Sequence, residues 1–186
     1  MLQRIVSLLK LSLNQYTSVL RFIFTPNDIC EKVEDIQLET LVQKYPIMLL
    51  DVDNTILPYT QSRLSFQKLN WINRSKALGF KIYLISNNIS KRRIEKVAIQ
   101  LGVTGIYFAC KPFVWSIKDM VGRYDIDIKK CVVIGDQMSR DVVLGNWLRC
   151  HTILVDPLDK KVSFLKTVQR DVELFLLKKL NIVSDY

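Results

Sequence analysis

Short apolar runs recur between residues 47 and 155, and each is followed by a stretch long enough for one helix. The predicted strands are Ile47–Asp51, Lys81–Ile85, Gly105–Ala109, Cys131–Ile134 and Thr152–Val155, and helices are predicted to begin near Ser65, Lys91, Pro112, Ser139 and Ser163. This alternation predicts an α/β fold with a doubly wound parallel sheet. Because parallel crossovers are right-handed, the carboxyl ends of the strands meet at one edge, where such folds bind ligands.

The length of 186 residues and the hydrophobic fraction of 49% are those of one globular domain with a sizeable core. The formal net charge of +9 indicates an anionic partner, which could be a phosphate-bearing substrate, an acidic membrane surface or nucleic acid. Nucleic acid is the least favoured of the three, because the sequence has no interleaved basic and aromatic repeat and no known nucleic-acid motif.

The cysteines and the single histidine are not predicted to carry chemistry. The four cysteines are scattered without a C-x-x-C pair, which argues against a zinc site or a disulfide framework and favours a reducing compartment. His151 lies beside an apolar stretch and is predicted to be structural rather than catalytic.

Residues 1–26 differ in pattern from residues 27–186, which we predict to form the main domain. Apolar side chains such as Leu2, Ile5 and Leu9 fall on one helical face, and the segment contains no acidic residue. It is predicted to be an amphipathic, cationic helix that is too polar to span a bilayer. Three interpretations remain open: a helix lying in a membrane interface, a cleavable organellar presequence, or a helix packed on its own domain.

Asp51, Asp53 and Thr55 follow directly on the first apolar run. At a spacing of two, both aspartates project toward one site, where their mutual repulsion is costly unless a cation or a shared proton relieves it. An EF-hand calcium loop does not fit, because Thr55 and Ile56 stand where that loop needs an oxygen ligand and a glycine. A surface turn remains the alternative for this motif taken alone.

Polar side chains also follow the later strands. They are Ser86 and Asn87 after the second strand, Lys111 after the third, and Asp136 and Asp141 after the fourth. Taken singly, these residues could be helix caps, a loop charge and an exposed helical acid. Taken together, complementary charges at four strand ends predict a site for an anion and a divalent metal ion.

The order of these motifs resembles that of the haloacid dehalogenase (HAD) superfamily of phosphatases. The matching segments are Asp51-x-Asp53-x-Thr55, Ser86, Lys111-Pro112 and Gly135-Asp136-x-x-x-x-Asp141. More narrowly, Asp51-Val-Asp-Asn-Thr, Ile85-Ser-Asn-Asn88 and Gly135-Asp-Gln137 are similar to the YqeG type, whose eukaryotic relatives are mitochondrial phosphatidylglycerophosphate phosphatases. The resemblance implies a three-layer, Rossmann-like sandwich.

The resemblance also implies a mechanism. Asp51 would attack phosphorus to form an aspartyl phosphate, and Asp53 would protonate the leaving alcohol and then take a proton from water. The implied Mg²⁺ ligands are the side chains of Asp51 and Asp136 and the backbone carbonyl of Asp53. The implied phosphate-binding residues are Thr55, Ser86, Asn87 and Lys111, and Asp141 would orient Lys111 or a metal-bound water.

The intervals between the motifs are short. Residues 56–85 and 87–110 each leave room for about one helix and one strand, so we expect no cap domain. An open site suits a large or surface-embedded substrate, and the net charge and the first helix favour an anionic phospholipid, led by phosphatidylglycerophosphate, with peripheral membrane contact. The alternatives are a phosphoprotein or nucleotide substrate, or a non-catalytic basic binding module. We expect a cytoplasmic protein at the inner membrane face, or a mitochondrial one in a eukaryote.

Overall fold

A six-stranded parallel sheet organises the computed structural model, which describes residues 18–159. The strands are β1 (Asp28–Cys30), β2 (Ile47–Leu50), β3 (Lys81–Ile85), β4 (Thr104–Ile106), β5 (Cys131–Gly135) and β6 (His151–Val155). The helices are α1 (Leu38–Lys44), α2 (Phe66–Ala77), α3 (Lys91–Leu101), α4 (Trp115–Tyr124) and α5 (Val143–Leu148). The order β1-β6-β5-β2-β3-β4 places β2 between β5 and β3. The predicted doubly wound parallel sheet is therefore confirmed.

Strand β2 shows why the sheet is covered on both faces. All four of its residues are buried, and successive side chains point to opposite faces because a strand has a period of two. Met48 and Leu50 belong to one core cluster, which includes residues of α2 and α3. Ile47 and Leu49 belong to a second cluster, which includes residues of α4 and α5. The result is a three-layer sandwich with the sheet in the middle.

The helices that follow β2 and β3 begin at serine caps. Ser65 accepts a hydrogen bond from the backbone N–H of Lys68, and Ser90 accepts one from the backbone N–H of Arg93, each at 3.3 Å. α3 ends at Gly102, whose φ of 61° is left-handed and suits a residue without a Cβ. The two serine caps fix where α2 and α3 begin after the chain has passed the edge of the sheet that carries the polar motifs.

Strand β1 and helix α1 were not predicted from the sequence. β1 is a three-residue edge strand whose residues are exposed or half-buried, and it pairs in parallel with β6. α1 has seven residues, of which Leu38 is buried. Neither element is long enough to show the apolar periodicity that identified the other strands and helices.

Two predicted boundaries are wrong. The strand predicted at residues 105–109 ends earlier, because Phe108 and Cys110 adopt positive φ angles of 49° and 51° that a strand cannot contain. The helix predicted to open at Pro112 begins after it, because the backbone N–H of Phe113 closes a turn on the carbonyl of Cys110 at 2.9 Å. Lys111 therefore lies in an irregular segment between β4 and α4.

The connections next to the polar edge are short. α2 occupies the connection from β2 to β3 and α3 that from β3 to β4, so the described residues contain no cap domain at either place. The helix predicted near Ser139 opens with a π-helical turn, Met138–Val142, before α5 begins. The helix predicted to begin near Ser163 lies outside the described residues.

The N-terminal segment is described only in part. Residues 18–24 are helical, whereas residues 1–17 lie outside the description, so the amphipathic helix and the division at residue 26 stay predictions. Residues 18–25 group apart from the unit that contains the sheet, which starts at Pro26. Among the described residues, no helix has the length and apolar character that crossing a membrane requires.

Candidate active site

The predicted site residues meet at the carboxyl edge of the sheet, where hydrogen bonds link them into two groups. The first group comprises Asp51, Thr55, Lys111, Asp136 and Asp141, together with Asn87 through the backbone of Lys111. The second group comprises Asp53 and Ser86, joined by Asn88, which was noted only as part of the motif after the second strand, and by Arg93, which was not predicted. The predicted residues lie in the segments that follow β2, β3, β4 and β5, as the parallel topology requires, and α3 supplies Arg93.

Lys111 connects two of the aspartates. Its ammonium lies 2.5 Å from Asp51 Oδ1 and 2.6 Å from Asp141 Oδ1, and all three side chains are at least nine-tenths buried. Burial alone would lower the pKa of Lys111, but the charges of Asp141 and Asp51 outweigh burial and raise it. Lys111 is therefore a permanent cation in direct contact with the carboxylate that was predicted to be the nucleophile.

Asp51 and Asp136 share the hydroxyl of Thr55, which lies 2.9 Å from Asp51 Oδ2 and 3.3 Å from Asp136 Oδ1. Burial raises the pKa of Asp51 to about 6, with Lys111 opposing the rise and Asp141 adding to it. Burial, followed by the charges of Asp51 and Asp141, raises the pKa of Asp136 to about 8. The ionised form of both carboxyl groups is therefore unfavourable in this environment unless a partner with positive charge binds to them.

The charges at this cluster do not balance. Asp51, Asp136 and Asp141 each offer an oxygen, and these oxygens lie within 4.8 Å of one another. One ammonium, that of Lys111, offsets one of the three carboxylates, which leaves two negative charges when all are ionised. Hard divalent cations prefer carboxylate oxygens, so the donor set and the charge deficit both fit a divalent metal ion. The predicted third ligand, the carbonyl of Asp53, stays a prediction.

Asp53 is held apart from this cluster by three donors. Ser86 Oγ and Asn88 Nδ2 each lie 3.0 Å from its Oδ2, and Arg93 Nε lies 3.0 Å from its Oδ1. The Arg93 side chain is 19% exposed and that of Asp53 is 8% exposed. The predicted acid–base residue therefore has a fixed orientation and its own cation.

Arg93 could have been noticed in the sequence by the place it occupies. The run Lys91, Arg92 and Arg93 opens α3, although the positive end of the helix dipole disfavours cations in the first turn. Cations at a helix start are most easily explained by a nearby anion, and here Arg93 has Asp53 as that anion. Asn88 belongs to the motif Ile85-Ser-Asn-Asn88, but its hydrogen bond to Asp53 was not predicted, because an asparagine before a helix is also an ordinary turn residue.

Asn87 pairs with the backbone of Lys111. Its amide Nδ2 donates to the Lys111 carbonyl at 2.9 Å, and its Oδ1 accepts from the Lys111 N–H at 2.7 Å. This double hydrogen bond joins the loop after β3 to the segment after β4 and fixes the base of the lysine side chain. The predicted contact of Asn87 with a phosphate stays a prediction.

Asn54, with a φ of 70°, ties the loop after β2 to the segment after β6. Its side chain accepts from Asp159 N–H at 2.8 Å and donates to the Asp159 carbonyl at 3.3 Å and to Asp136 Oδ2 at 3.4 Å. Asparagine tolerates the left-handed conformation better than most residues. Asn54 thereby joins the loop after β2, which carries Asp51, both to the segment after β6 and to Asp136 after β5.

Comparison with known proteins identifies the family. A family model described as HAD-hydrolase-like matches residues 108–157, which contain Lys111, Asp136 and Asp141. The probable phosphatase YqeG of Bacillus subtilis (strain 168) is 31% identical over 163 residues, which is 87% of this chain and 94% of that protein. The chain belongs to the YqeG family of HAD-type phosphatases. The resemblance read from the motifs is confirmed at the level of this family, and the chain is a phosphatase.

Two solved structures are also similar to this chain, at lower sequence identity than the Bacillus subtilis protein. An uncharacterized protein from Listeria monocytogenes serotype 4b is 16% identical, with a TM-score of 0.49, and covers 71% of this chain and 98% of its own. The cobalt-bound deoxy-D-mannose-octulosonate 8-phosphate phosphatase from Haemophilus influenzae is 12% identical, with a TM-score of 0.49, and covers 76% of this chain and 92% of its own. Such low identities say nothing of the substrate of this chain.

Proposed function

We propose that this YqeG-family phosphatase is a Mg²⁺-dependent phosphomonoesterase that acts through an aspartyl phosphate on Asp51. The observation that supports this proposal most directly is the environment of Asp51 in a buried, acidic cluster. Its Oδ1 lies 2.5 Å from Lys111 Nζ, and its Oδ2 lies 2.9 Å from the Thr55 hydroxyl. A carboxylate fixed by a cation and a hydroxyl has the orientation that in-line attack on phosphorus needs. Lys111 contacts Oδ1 of Asp51 and would therefore lie beside the transferring phosphoryl group.

The reaction divides into two displacements. An oxygen of Asp51 forms a bond to phosphorus while the bond to the leaving alcohol oxygen breaks, and Asp53 gives that oxygen a proton. Water then attacks the phosphoryl group while Asp53 takes a proton from that water, and Asp51 leaves as a free carboxylate with release of inorganic phosphate. Lys111, Thr55, Ser86 and the loop of Asn87 are assigned to the phosphoryl oxygens, whose charge spreads in the transition state.

Asp51 and Asp136 are assigned as the side-chain ligands of Mg²⁺, together with the carbonyl of Asp53. When bound, the ion neutralises charge on the phosphoryl oxygens and on its own ligands. Asp141 is assigned to orient Lys111, because its second oxygen accepts from the backbone N–H of Gln137 at 3.1 Å and its first contacts the lysine.

The proposed substrate is an anionic phospholipid phosphate, with phosphatidylglycerophosphate leading. Support comes from the connections from β2 to β3 and from β3 to β4, which contain no cap domain in the described residues, since an open edge can approach a phosphate presented by a surface. The net charge of +9 gives further support, because it attracts a protein to acidic membranes.

A substrate panel tests this proposal. Phosphate release is measured from phosphatidylglycerophosphate in mixed micelles, a sugar phosphate, a nucleotide, a phosphopeptide and a soluble aryl phosphate, each with Mg²⁺ and with EDTA. The expected result is turnover of the aryl phosphate and highest kcat/KM on the lipid, both lost with EDTA. Preference for the nucleotide or the phosphopeptide refutes the lipid assignment, and turnover that survives EDTA refutes the metal assignment.

A further inference from the structure

Large apolar side chains are exposed along one side of the active-site edge. They are Ile89 (80% exposed), Tyr107 (41%), Phe108 (58%), Phe113 (46%) and Trp115 (60%), and we call this set the apolar rim. Ile89 follows β3, Tyr107 and Phe108 follow β4, Phe113 lies in the turn before α4, and Trp115 is the first residue of α4. Clustered exposed apolar residues of this size mark interaction sites in soluble proteins.

A backbone hydrogen bond and a ring stack order the apolar rim beside the catalytic loops. The backbone N–H of Phe108 donates to the carbonyl of Asn88 at 2.9 Å, which joins the loops after β3 and β4. The rings of Phe113 and Trp115 stack with centroids 4.5 Å apart and planes at 7°. Lys111 lies between Phe108 and Phe113 in the chain. A surface that contacts the apolar rim would therefore also lie near the active-site lysine.

The backbone of Phe108 supports a role beyond folding. Its φ of 49° is left-handed, which is uncommon for residues other than glycine, asparagine and aspartate. An aromatic side chain that is 58% exposed gains little from burial to offset this conformation. The strain and the exposure therefore both point to a contact that Phe108 makes with another surface.

Cations flank the apolar rim. Lys91 and Arg92 follow Ile89 and are exposed, as is Lys118 on α4. The ammonium of Lys91 lies 5.9 Å from the centre of the Tyr107 ring. Tryptophan and tyrosine settle at the level of lipid headgroups, and lysine and arginine beside them attract anionic lipids. This combination of side chains matches an acidic membrane surface.

We propose that the apolar rim inserts into the interface of an anionic bilayer and docks the active-site edge on it. This inference rests on the proposed function, in which the phosphate to be hydrolysed is presented by a lipid. The apolar side chains enter the headgroup region, the flanking cations contact anionic headgroups, and Lys111 and Asp51 face the membrane surface. A second copy of the chain is the competing occupant, and the experiment separates the two.

Fluorescence quenching locates the docking surface directly. The full chain is mixed with vesicles of equal parts phosphatidylglycerol and bromine-labelled phosphatidylcholine, whose bromines quench tryptophan on contact. Trp115 belongs to the apolar rim, whereas Trp147 is also exposed, at 47%, but lies near the end of α5. The expected result is quenching that Trp115→Phe abolishes and Trp147→Phe preserves. Quenching that survives Trp115→Phe overturns the inference.

A matched pair of variants measures the contribution to binding. The rim variant is Ile89→Ser with Phe108→Asn, because asparagine accepts the left-handed backbone and keeps the loop folded. The control is Ile99→Ser, since Ile99 has the same 80% exposure as Ile89 but lies on the C-terminal part of α3. The expected result is vesicle binding weakened about tenfold or more in the rim variant, with the control unchanged. Equal binding by both variants overturns the inference.

Two further readouts keep this inference distinct from the proposed function. Hydrolysis of a soluble aryl phosphate should be unchanged in the rim variant, while hydrolysis of vesicle-presented lipid falls with binding. If wild type binds vesicles through Trp115 yet hydrolyses no lipid, docking stands and the proposed substrate fails. If light scattering shows a dimer that the rim variant dissociates, the surface joins two copies and the membrane inference is overturned.

Discussion

The guanidinium of Arg93 holds the carboxylate of Asp53 in place. Its Nε lies 3.0 Å from Asp53 Oδ1, its Nη2 lies 3.0 Å from the Pro58 carbonyl and its Nη1 lies 2.5 Å from the Gln61 carbonyl. The arginine is therefore anchored to the loop after β2 by one carboxylate and two carbonyls. Because all these contacts come from one planar group, a shift of Arg93 moves the acid–base residue and its loop together.

Replacing Arg93 should impair turnover more than substrate binding. We predict that Arg93→Ala lowers kcat roughly 10- to 100-fold on the aryl phosphate and changes KM little, because small misplacements of a catalytic group slow chemistry. Arg93→Lys should recover part of the loss, since it restores the charge without the fork of donors. The matched control is Arg92→Ala, which removes the neighbouring exposed cation of the same turn. An unchanged kcat in Arg93→Ala contradicts the positioning role.

Asp53→Asn should separate acid–base chemistry from metal binding. The amide keeps the shape of the side chain and leaves the backbone carbonyl in place, but it cannot exchange a proton with the leaving alcohol. We predict a loss of roughly 10²–10⁴-fold in kcat with Mg²⁺ affinity preserved. Isothermal titration with Mg²⁺ and steady-state kinetics check the two parts, and wild-type kcat in this variant refutes the acid–base assignment.

The acidic cluster should make the metal-free protein less stable at high pH. The folded state raises the pKa of Asp51 to about 6 and of Asp136 to about 8 from an ordinary value of 3.8. Between pH of about 4 and 8 the folded state therefore binds more protons than the unfolded state, and the free energy of unfolding falls as pH rises. In EDTA, we predict a Tm that decreases from pH 5 to pH 8.

Magnesium should reverse this trend, because the ion displaces the protons and binds best when they are absent. The rise in Tm on adding Mg²⁺ should be larger at pH 8 than at pH 5. Asp136→Asn should raise the Tm of the metal-free protein at pH 8 and abolish the response to Mg²⁺. A Tm that responds equally to Mg²⁺ in wild type and in this variant rules out Asp136 as a ligand.

Gly135 should tolerate no side chain. A Cβ there would lie 2.2 Å from Asp141 Cγ, so Gly135→Ala must displace the carboxylate that contacts Lys111. We predict lost phosphatase activity and destabilisation of about 1–3 kcal/mol by chemical denaturation. The control is Gly122→Ala in α4, where nothing lies within 4 Å, and which should stabilise the protein by up to about 1 kcal/mol. Full activity in Gly135→Ala contradicts the requirement that the Asp141 carboxylate keep its present position.

The sequence predicts the strands that are buried and misses the ones that are not. β2, β3, β5 and β6 carry apolar runs because both faces of a central parallel strand are covered, and their positions agree with the prediction to within a residue or so. β1 is exposed at the edge of the sheet and carries no such run. The extent of β4 was misjudged because apolar residues 107 and 108 continue the pattern while pointing to solvent.

The candidate site shows the same division between topology and local geometry. Strand ends predict that Asp51, Lys111 and Asp136 converge, because parallel topology brings them to one edge. The contact of Arg93 with Asp53 depends on the direction in which the arginine side chain leaves the first turn of α3. Tertiary packing sets this direction, and the local sequence pattern does not. The double hydrogen bond from Asn87 to the Lys111 backbone is likewise a contact between distant loops.

The central claim is that Asp51 becomes phosphorylated, and trapping the intermediate tests it most directly. The enzyme is mixed with substrate and Mg²⁺, quenched in acid during turnover, digested, and the peptide that contains Asp51 is examined by mass spectrometry. The account predicts a phosphoryl adduct on Asp51 in the wild type, and neither adduct nor turnover in Asp51→Asn. Turnover at the wild-type rate in Asp51→Asn, or an adduct on another residue of the cluster, would contradict the account.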